Sequence, residues 1–279
     1  MFHKCWKNSN GILCHYLMFG GSNLINFAAQ EYAMKILVCI SQAPDTTSRI
    51  AFKDGDTAFD DSGVQFIVNP YDEWYALVRA IELKESGGGS VTTITVGSAN
   101  CEPVIRKALA IGADDAVRLD AEPQDSLQVA RLIAAYAHGK DYDLILFGKE
   151  TIDHNGSVVP AMVAEILDMP FVALATSLEV EGGEATLQRE SAGGLQTVKT
   201  TLPLCLSAAK GMAEQRIPNM RGIMSARTKP LSVETPASVE MGTKVQVFGL
   251  PPAKGDCKMI PAEQAEELIR LLREEAKAI

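Results

Sequence analysis

The fold is decided by residues 143–157, which read Asp143-Leu-Ile-Leu-Phe147 and then Gly148-Lys-Glu-Thr-Ile-Asp-His-Asn-Gly-Ser157. The first five residues predict a buried parallel strand. The next ten predict a loop of small and polar residues in front of a helix. At such a helix N-terminus, backbone N–H groups and a dipole equivalent to about half a positive charge favour an anion. We therefore expect an anionic ligand at this edge of an α/β sheet.

The composition restricts the class of protein. The chain has 279 residues, 47% of them hydrophobic and 22% charged, which suits one large domain with or without appendages. Its net charge of −9 argues against nucleic acid as a partner. No run approaches the roughly 20 apolar residues that span a bilayer, so we expect no membrane insertion. The six cysteines form no C-x-x-C pair, which argues against a zinc site or a disulfide framework, and Cys39 and Cys205 are expected in the core.

Strand and helix patterns alternate between Met34 and Met169. Runs rich in β-branched residues predict strands at 35–40, 91–96, 116–119 and 143–147, and helical periodicity predicts helices between them. The first helix carries Trp74 and Ile81 on its apolar face, and we expect Asn69 to be its N-cap. The others cover 102–111 and 126–138. This order predicts an α/β fold with a Rossmann-like, doubly wound and mostly parallel sheet.

The pattern changes after Phe171. Extended segments at 172–180, 185–189, 195–200 and 204–208, with glycine-bearing turns before and after the second of them, predict antiparallel strands. Such strands are commonly added at the edge of a parallel sheet.

Residues 209–230 form a long segment without a clear strand or helix pattern, which is uncommon unless the segment is functional. It carries flexible apolar side chains and basic ones, which suit an adaptable surface for docking a partner. The apolar residues include Ile217, Met220, Ile223 and Met224, and the basic ones include Arg216, Arg221, Arg227 and Lys229. The alternative is a core helix with a solvated basic face.

The chain divides into three parts by pattern. Residues 1–33 precede the first strand and are expected to be an upstream extension outside the fold, or alternatively a signal or transit segment. Residues 34–230 form the nucleotide-binding α/β domain, including the docking loop 209–230. Residues 231–279 form a Pro-rich C-terminal arm that ends in an amphipathic helix over 262–278.

Six motifs in order resemble the β (small) subunit of electron transfer flavoprotein, from Met34 to the C-terminus. They are Met34-Lys-Ile-Leu-Val-Cys-Ile40, Pro44-Asp-Thr46, Asn69-Pro-Tyr-Asp72, Arg106-Lys-Ala-Leu-Ala-Ile-Gly-Ala-Asp114, Gly148-Lys-Glu-Thr-Ile-Asp153, and Arg189-Glu-Ser-Ala-Gly-Gly-Leu195 before Leu202-Pro203. Each motif is weak alone, but their shared order and spacing are specific. The resemblance implies a sheet of the adenine nucleotide alpha hydrolase-like type.

The resemblance also implies a function. In this family the β subunit holds an AMP that does no chemistry, and it forms a heterodimer with an α subunit that holds a redox-active FAD. The heterodimer carries electrons from acyl-CoA dehydrogenases, in fatty acid β-oxidation, to a membrane-associated quinone oxidoreductase. The chain is thus expected to be an electron carrier subunit rather than an enzyme, in the cytoplasm of a bacterium or the mitochondrial matrix of a eukaryote.

The resemblance carries over particular residues. The expected AMP contacts are Cys39, Asn69, Pro70, Tyr71, Asp72, Val96, Gly148, Lys149, Glu150, Thr151, Ile152, Asp153, His154, Asn155, Gly156, Ser157, Val158 and Val159. Glu190 matches an acidic residue near the α-subunit flavin, with an ordinary strand-end carboxylate as the alternative. Met220 matches the apolar anchor of the loop that grips the dehydrogenase.

The chain departs from the family where the loop enters the next helix. The family has Gln, then Thr or Val, then Gly, whereas this chain has Val158, Val159 and Pro160. A glutamine donor and a flexible glycine are lost, although Pro160 can begin a helix and Val158 retains its backbone N–H. This departure leaves open whether the β site holds AMP.

Two other functions stay open. Some family members hold a second FAD in place of AMP and split the electron pairs of NADH between two acceptors, and Pro44-Asp-Thr-Thr47 is compatible with them. A regulatory adenine-nucleotide-binding domain is the second alternative, although it would lack the docking loop and the arm. A hydrolytic enzyme is disfavoured, because His154 has no nucleophile–base pattern around it.

Overall fold

The computed structural model describes residues 5–8, 11–14, 33–70, 72–255 and 257–279, with the backbone alone at 5–8 and 11–14. Tyr71, one of the expected nucleotide contacts, and most of the predicted extension 1–33 lie outside the described residues. Within that extension two short strands pair antiparallel. The chain forms two compact units: Met1–Arg49 with Asp61–Val245, and Ile50–Asp60 with Gln246–Ile279.

The described residues contain the following strands and helices. The strands are β1 (Cys5–Asn8), β2 (Gly11–Cys14), β3 (Met34–Cys39), β4 (Gln42–Pro44), β5 (Phe52–Lys53), β6 (Ala58–Phe59), β7 (Phe66–Val68), β8 (Gly89–Val96), β9 (Asp115–Leu119), β10 (Leu144–Gly148), β11 (Phe171–Glu181), β12 (Glu184–Ser191), β13 (Gly194–Thr201), β14 (Leu204–Ala208) and β15 (Leu231–Glu234). The α-helices are α1 (Asp72–Gly87), α2 (Glu102–Ile111), α3 (Ser126–Ala137), α4 (Val159–Ile166), α5 (Met220–Ala226) and α6 (Ala265–Glu274).

The central sheet of the larger unit has nine strands in the described part of the chain, in the order β13-β12-β11-β14-β10-β3-β8-β9-β15. The strands from β11 to β15 in this order run parallel, and β12 and β13 are antiparallel. The predicted α/β class with a mostly parallel, doubly wound sheet and antiparallel edge strands is therefore confirmed.

The sequence-based prediction for residues 204–208 is wrong. This segment is β14, which lies inside the sheet and pairs parallel with both β10 and β11. All five of its residues are buried, and a strand covered on both faces is typical of a parallel sheet interior. The sequence did not reveal the parallel pairing of β14, because β14 follows an antiparallel hairpin. Chain order alone does not show that the chain returns from this hairpin to the centre of the sheet.

Helices cover both faces of the sheet. Residues of α1 and α2 pack with Ile36, Val38 and Leu146 in one core layer. Residues of α3 and α4 pack with Leu37, Ile145 and Cys205 in the other. Alternate residues of each strand thus supply opposite layers, as the period of two requires. The predicted burial of Cys39 and Cys205 is confirmed.

Asp125 links the start of α3 to residues 242–243. One carboxylate oxygen accepts a hydrogen bond from the Gln128 backbone N–H at 2.7 Å and caps the helix. The other accepts from the backbone N–H of Gly242 at 2.6 Å and from that of Thr243. These hydrogen bonds lower the pKa of Asp125.

Replacing Asp125 by alanine should therefore loosen both contacts. We expect a loss of about 1 kcal/mol from the cap alone and faster hydrogen exchange at the Gly242 and Thr243 amides. The pKa of Asp125 is lower in the folded state than in the unfolded state. Its contribution to stability is therefore present above the unfolded-state pKa and is lost as the pH falls through the folded-state pKa. Asp125→Asn separates the two contacts, since its one amide oxygen can still accept from Gln128 while its NH2 group cannot accept from Gly242 and Thr243. Unchanged exchange at both amides in Asp125→Ala would contradict the link.

The smaller unit has its own contacts. β5 and β6 form a two-stranded hairpin, and the rings of Phe52 and Phe248 stack with their centroids 5.0 Å apart. The predicted terminal helix is shorter than expected, with a 3-10 turn at Ala262–Gln264 before α6. Among the helices of the described residues, none is both long and apolar enough to cross a membrane.

Candidate functional site

The crevice expected in a doubly wound sheet lies where β3 and β10 are side by side. The chain leaves β3 toward β8 on one side of the pair, and it leaves β10 toward β11 and β14 on the other. In doubly wound sheets, ligands bind at the carboxyl ends of strands where the connections diverge in this way. The loop after β10, predicted from sequence as the anion site, begins at this point.

The loop runs from the buried Gly148 to an exposed stretch at 153–158 before α4 begins. Asn155 and Ser157 have positive φ, at 51° and 53°, a conformation that polar residues adopt more readily than most. α4 starts with Val159 and carries Pro160 in its first turn, so the expectation that Pro160 can begin a helix is confirmed. Val158, at the N-cap position, makes no side-chain capping hydrogen bond. The helix start therefore carries no side-chain cap of its own.

Asn69 does not cap α1, contrary to the sequence-based expectation. The helix begins at Asp72, and the fully buried Asn69 instead clamps the loop. Its side-chain nitrogen donates to the Glu150 carbonyl at 2.7 Å, and its side-chain oxygen accepts from the Ile152 N–H at 3.0 Å. Asn69 thus fixes the loop backbone. Its two hydrogen bonds constrain the chain more strongly than a helix cap would, because they reach residues 81 and 83 positions away.

Charged side chains surround the loop. Lys149 forms a 3.1 Å ion pair with Glu150, which also accepts a hydrogen bond from the Ser157 hydroxyl at 3.1 Å. Asp153 lies 3.7 Å from the His154 ring. Partial burial raises the pKa of Asp72, while Lys149 opposes that rise. The side chains here are more acidic than basic, so an anion would depend on backbone donors and on the dipole of α4.

The remaining predicted contacts lie around the same crevice. Cys39 ends β3 and Val96 ends β8, and both pack in the α3 and α4 layer. A methyl group at Gly156 would lie 3.7 Å from the Ser126 hydroxyl, which places the loop beside the start of α3. The structure therefore joins Asn69 to the loop and places the ends of β3 and β8 in the same core layer as Val159, while their role as nucleotide contacts stays a prediction. Pro70 follows Asn69 in the chain, and Asp72 is the first residue of α1.

Two residues of the crevice, Glu73 and Ser41, were missed by sequence reasoning. Glu73 is only 6% exposed, and both of its oxygens accept hydrogen bonds from Ser41, from the backbone N–H at 2.8 Å and from the hydroxyl at 2.6 Å. Burial, opposed by these bonds, raises the pKa of Glu73 to about 8. A glutamate in a first helical turn normally faces water, so the sequence contains no signal for its burial.

The predicted docking loop contains a short helix, α5, capped by Asn219 through a 2.8 Å hydrogen bond from the Gly222 N–H. The four apolar side chains that predict docking face solvent rather than the core. Ile217 is 83% exposed, Met220 73%, Met224 69% and Ile223 41%. The exposure favours the docking interpretation over a core helix.

Both ends of this segment are held in place. Arg216 forms a bidentate pair with Glu85, with distances of 2.7 and 2.9 Å. Arg106 donates to the carbonyls of Ala226 and Lys229, each at 2.9 Å. The exposed apolar side chains are thus presented on an anchored backbone.

Comparison with known proteins assigns the family. The family model described as electron transfer flavoprotein domain matches residues 56–239. The chain is 38% identical to the electron transfer flavoprotein subunit beta of Bacillus subtilis (strain 168), over 88% of this chain and 100% of that relative. The chain belongs to the electron transfer flavoprotein β-subunit family. It is 40% identical to the subunit of that name from Syntrophomonas wolfei, over 79% of this chain and 87% of that relative. It is 30% identical to the human subunit, over 86% of this chain and 97% of that relative.

Membership of this family confirms the resemblance found from the six motifs and supports a role in electron transport. The relatives are named as a β subunit, which implies an α-subunit partner. Glu190 lies at the exposed end of β12 opposite Leu195 in β13, so its place beside a flavin stays a prediction.

Proposed function

We propose that this chain is the β subunit of a heterodimeric electron transfer flavoprotein. It binds AMP in the crevice between β3 and β10 and supports an FAD held mainly by the α subunit. When bound, that flavin would supply the redox chemistry with which the heterodimer carries electrons from acyl-CoA dehydrogenases to a quinone oxidoreductase. The chain itself is an electron carrier subunit and not a catalyst.

The observation that carries this proposal is the loop between Gly148 and α4, which lies at the point where the strand connections diverge. Its small residues leave room for an adenylate, and its helix start has no side-chain cap, so backbone N–H groups can receive a phosphate. Val158 contributes only its backbone in place of the family's glutamine. The residues present therefore fit a nucleotide phosphate through backbone groups, and Lys149 is the lysine of the loop.

The carrier role is tested by co-expressing the chain with the α subunit of the same organism and mixing the complex with a reduced acyl-CoA dehydrogenase. We expect the flavin absorbance of the complex to bleach. Rapid bleaching by NADH instead would support the bifurcating alternative. No bleaching by either donor would contradict both.

Docking by the exposed side chains of the docking loop gives a mutational prediction. Replacing both Ile217 and Met220 by alanine should slow flavin reduction by the dehydrogenase roughly tenfold or more, because buried apolar anchors concentrate binding energy in such interfaces. The effect should appear in KM rather than in kcat, and the α–β complex should stay intact. Met241→Ala is the control, since Met241 is also exposed but lies outside the segment. Transfer rates equal to those of the control would contradict a docking role.

A further inference from the structure

Glu73 occupies a position that a purely structural role does not explain. It belongs to the first turn of α1, yet it contacts the ends of both strands that border the crevice. Its two oxygens hold Ser41, which follows β3 by two residues. A methyl group at Gly148, the last residue of β10, would lie 2.7 Å from both Cγ and the backbone nitrogen of Glu73. The carboxyl group therefore lies at the carboxyl ends of β3 and β10, the sheet edge at which the nucleotide is proposed to bind.

The groups facing Glu73 are mostly acidic. Asp72 faces it from its own helix, Asp153 from the loop and Cys39 from β3, and the acid groups Asp153 and Asp72 add to the rise of its pKa. Lys149 acts on Asp72 and pairs with Glu150. The described residues give Glu73 no salt bridge. An ionised Glu73 would thus add a buried negative charge, without a cation, beside a site for an anion.

We propose that Glu73 is a positioning residue that links nucleotide binding to the uptake of a proton. It is neutral when the phosphate occupies the crevice, and it repels the phosphate when it is ionised. This inference rests on the proposed nucleotide site and goes beyond it, since it assigns a protonation state to the bound form. The hydrogen bonds to Ser41 keep the carboxyl group in place in either state.

The linkage has a definite sign. A phosphate brought near Glu73 raises the pKa of the carboxyl group further, so the bound protein takes up protons. At pH 8, near the pKa of Glu73, about half of the free protein is protonated, and binding takes up about half a proton. A rise of one pKa unit on binding would weaken AMP affinity roughly sixfold between pH 7.5 and 9.5. The phosphate of AMP, with a second pKa of about 6, does not titrate in this range.

The test uses isothermal titration of the nucleotide-depleted full chain with AMP at pH 8, in two buffers of different ionisation enthalpy. We expect uptake of about half a proton in the natural chain and none in Glu73→Gln, with a flat pH dependence of affinity in that variant. Equal proton uptake in the two proteins, or none in either, would overturn the linkage while leaving the nucleotide site in place. If AMP does not bind at any pH, the proposed function fails and this inference fails with it.

A second variant guards against misfolding of Glu73→Gln. Asp153→Asn removes a like charge that acts on Glu73 from the exposed loop. We expect the midpoint of the pH-dependent loss of AMP affinity to move to lower pH in this variant. A midpoint that does not move would contradict the proposed electrostatic link between the loop and Glu73.

Discussion

Alanine at position 148 is expected to destabilise the protein by about 2 to 3 kcal/mol and to lower its melting temperature by roughly 5 to 10 °C. The added methyl group would meet the Glu73 nitrogen and Cγ at 2.7 Å and the Asp72 carbonyl carbon at 3.2 Å. Backbone atoms cannot rotate away as a side chain can, so α1 must move from the end of β10. The crevice lies between these elements, and nucleotide content should therefore fall as well.

Gly156→Ala is the matched control for stability, because it adds the same methyl group to the same loop. The nearest atoms to that methyl group would be the Ser126 hydroxyl at 3.7 Å and a Val158 methyl at 3.8 Å, which are ordinary contacts. Thermal melts of the two variants should differ by several degrees. Equal melting temperatures would show that the close approach of α1 to β10 is not a constraint.

Glu73→Gln should stabilise the chain at alkaline pH. Burial raises the pKa of Glu73 from its ordinary 4.5 to about 8, so the folded state holds a proton that the unfolded state has already lost. The contribution of Glu73 to the free energy of unfolding is therefore fully present below about pH 4.5 and is lost as the pH rises toward 8. The loss across this range is roughly 3 to 5 kcal/mol for a shift of this size. Glutamine is neutral at every pH, so the variant does not undergo this loss of stability.

Urea unfolding at pH 5, 7 and 9 measures this effect. The difference in free energy of unfolding between Glu73→Gln and the natural chain should grow with pH and favour the variant at pH 9. Glu102→Gln serves as the control, because Glu102 also lies in a first helical turn but is partly exposed. A difference that stays constant from pH 5 to pH 9 would mean that Glu73 is not a buried, proton-binding carboxyl group.

The elements with local signals were predictable from sequence. α2 has the predicted bounds, because Pro103 suits a first turn and Gly112 ends the helix. β3, β8, β9 and β10 lie within two residues of their predicted limits, since buried parallel strands are short, continuous apolar runs. β14 was assigned the wrong direction because strand order depends on long-range packing, which no local pattern records.

The candidate site was predictable as a place but not in its contacts. The glycine-bearing loop after β10 could be recognised by its position between a strand and a helix. Asn69 looked like a helix cap because its side chain suits caps and buried loop clamps equally well, and only the fold brings residues 150–152 to it. The burial of Glu73 follows from the close approach of α1 to Gly148, a tertiary fact without a sequence pattern.

The central claim is that the crevice of this chain holds AMP while the α subunit holds the flavin. The most direct measurement is to purify the natural heterodimer, denature it, and quantify the released nucleotides by mass spectrometry. We predict one AMP and one FAD for each heterodimer. Two FAD without AMP would assign the crevice to a second flavin, and release of FAD alone, in equal amount to the heterodimer, would contradict a nucleotide site in this chain.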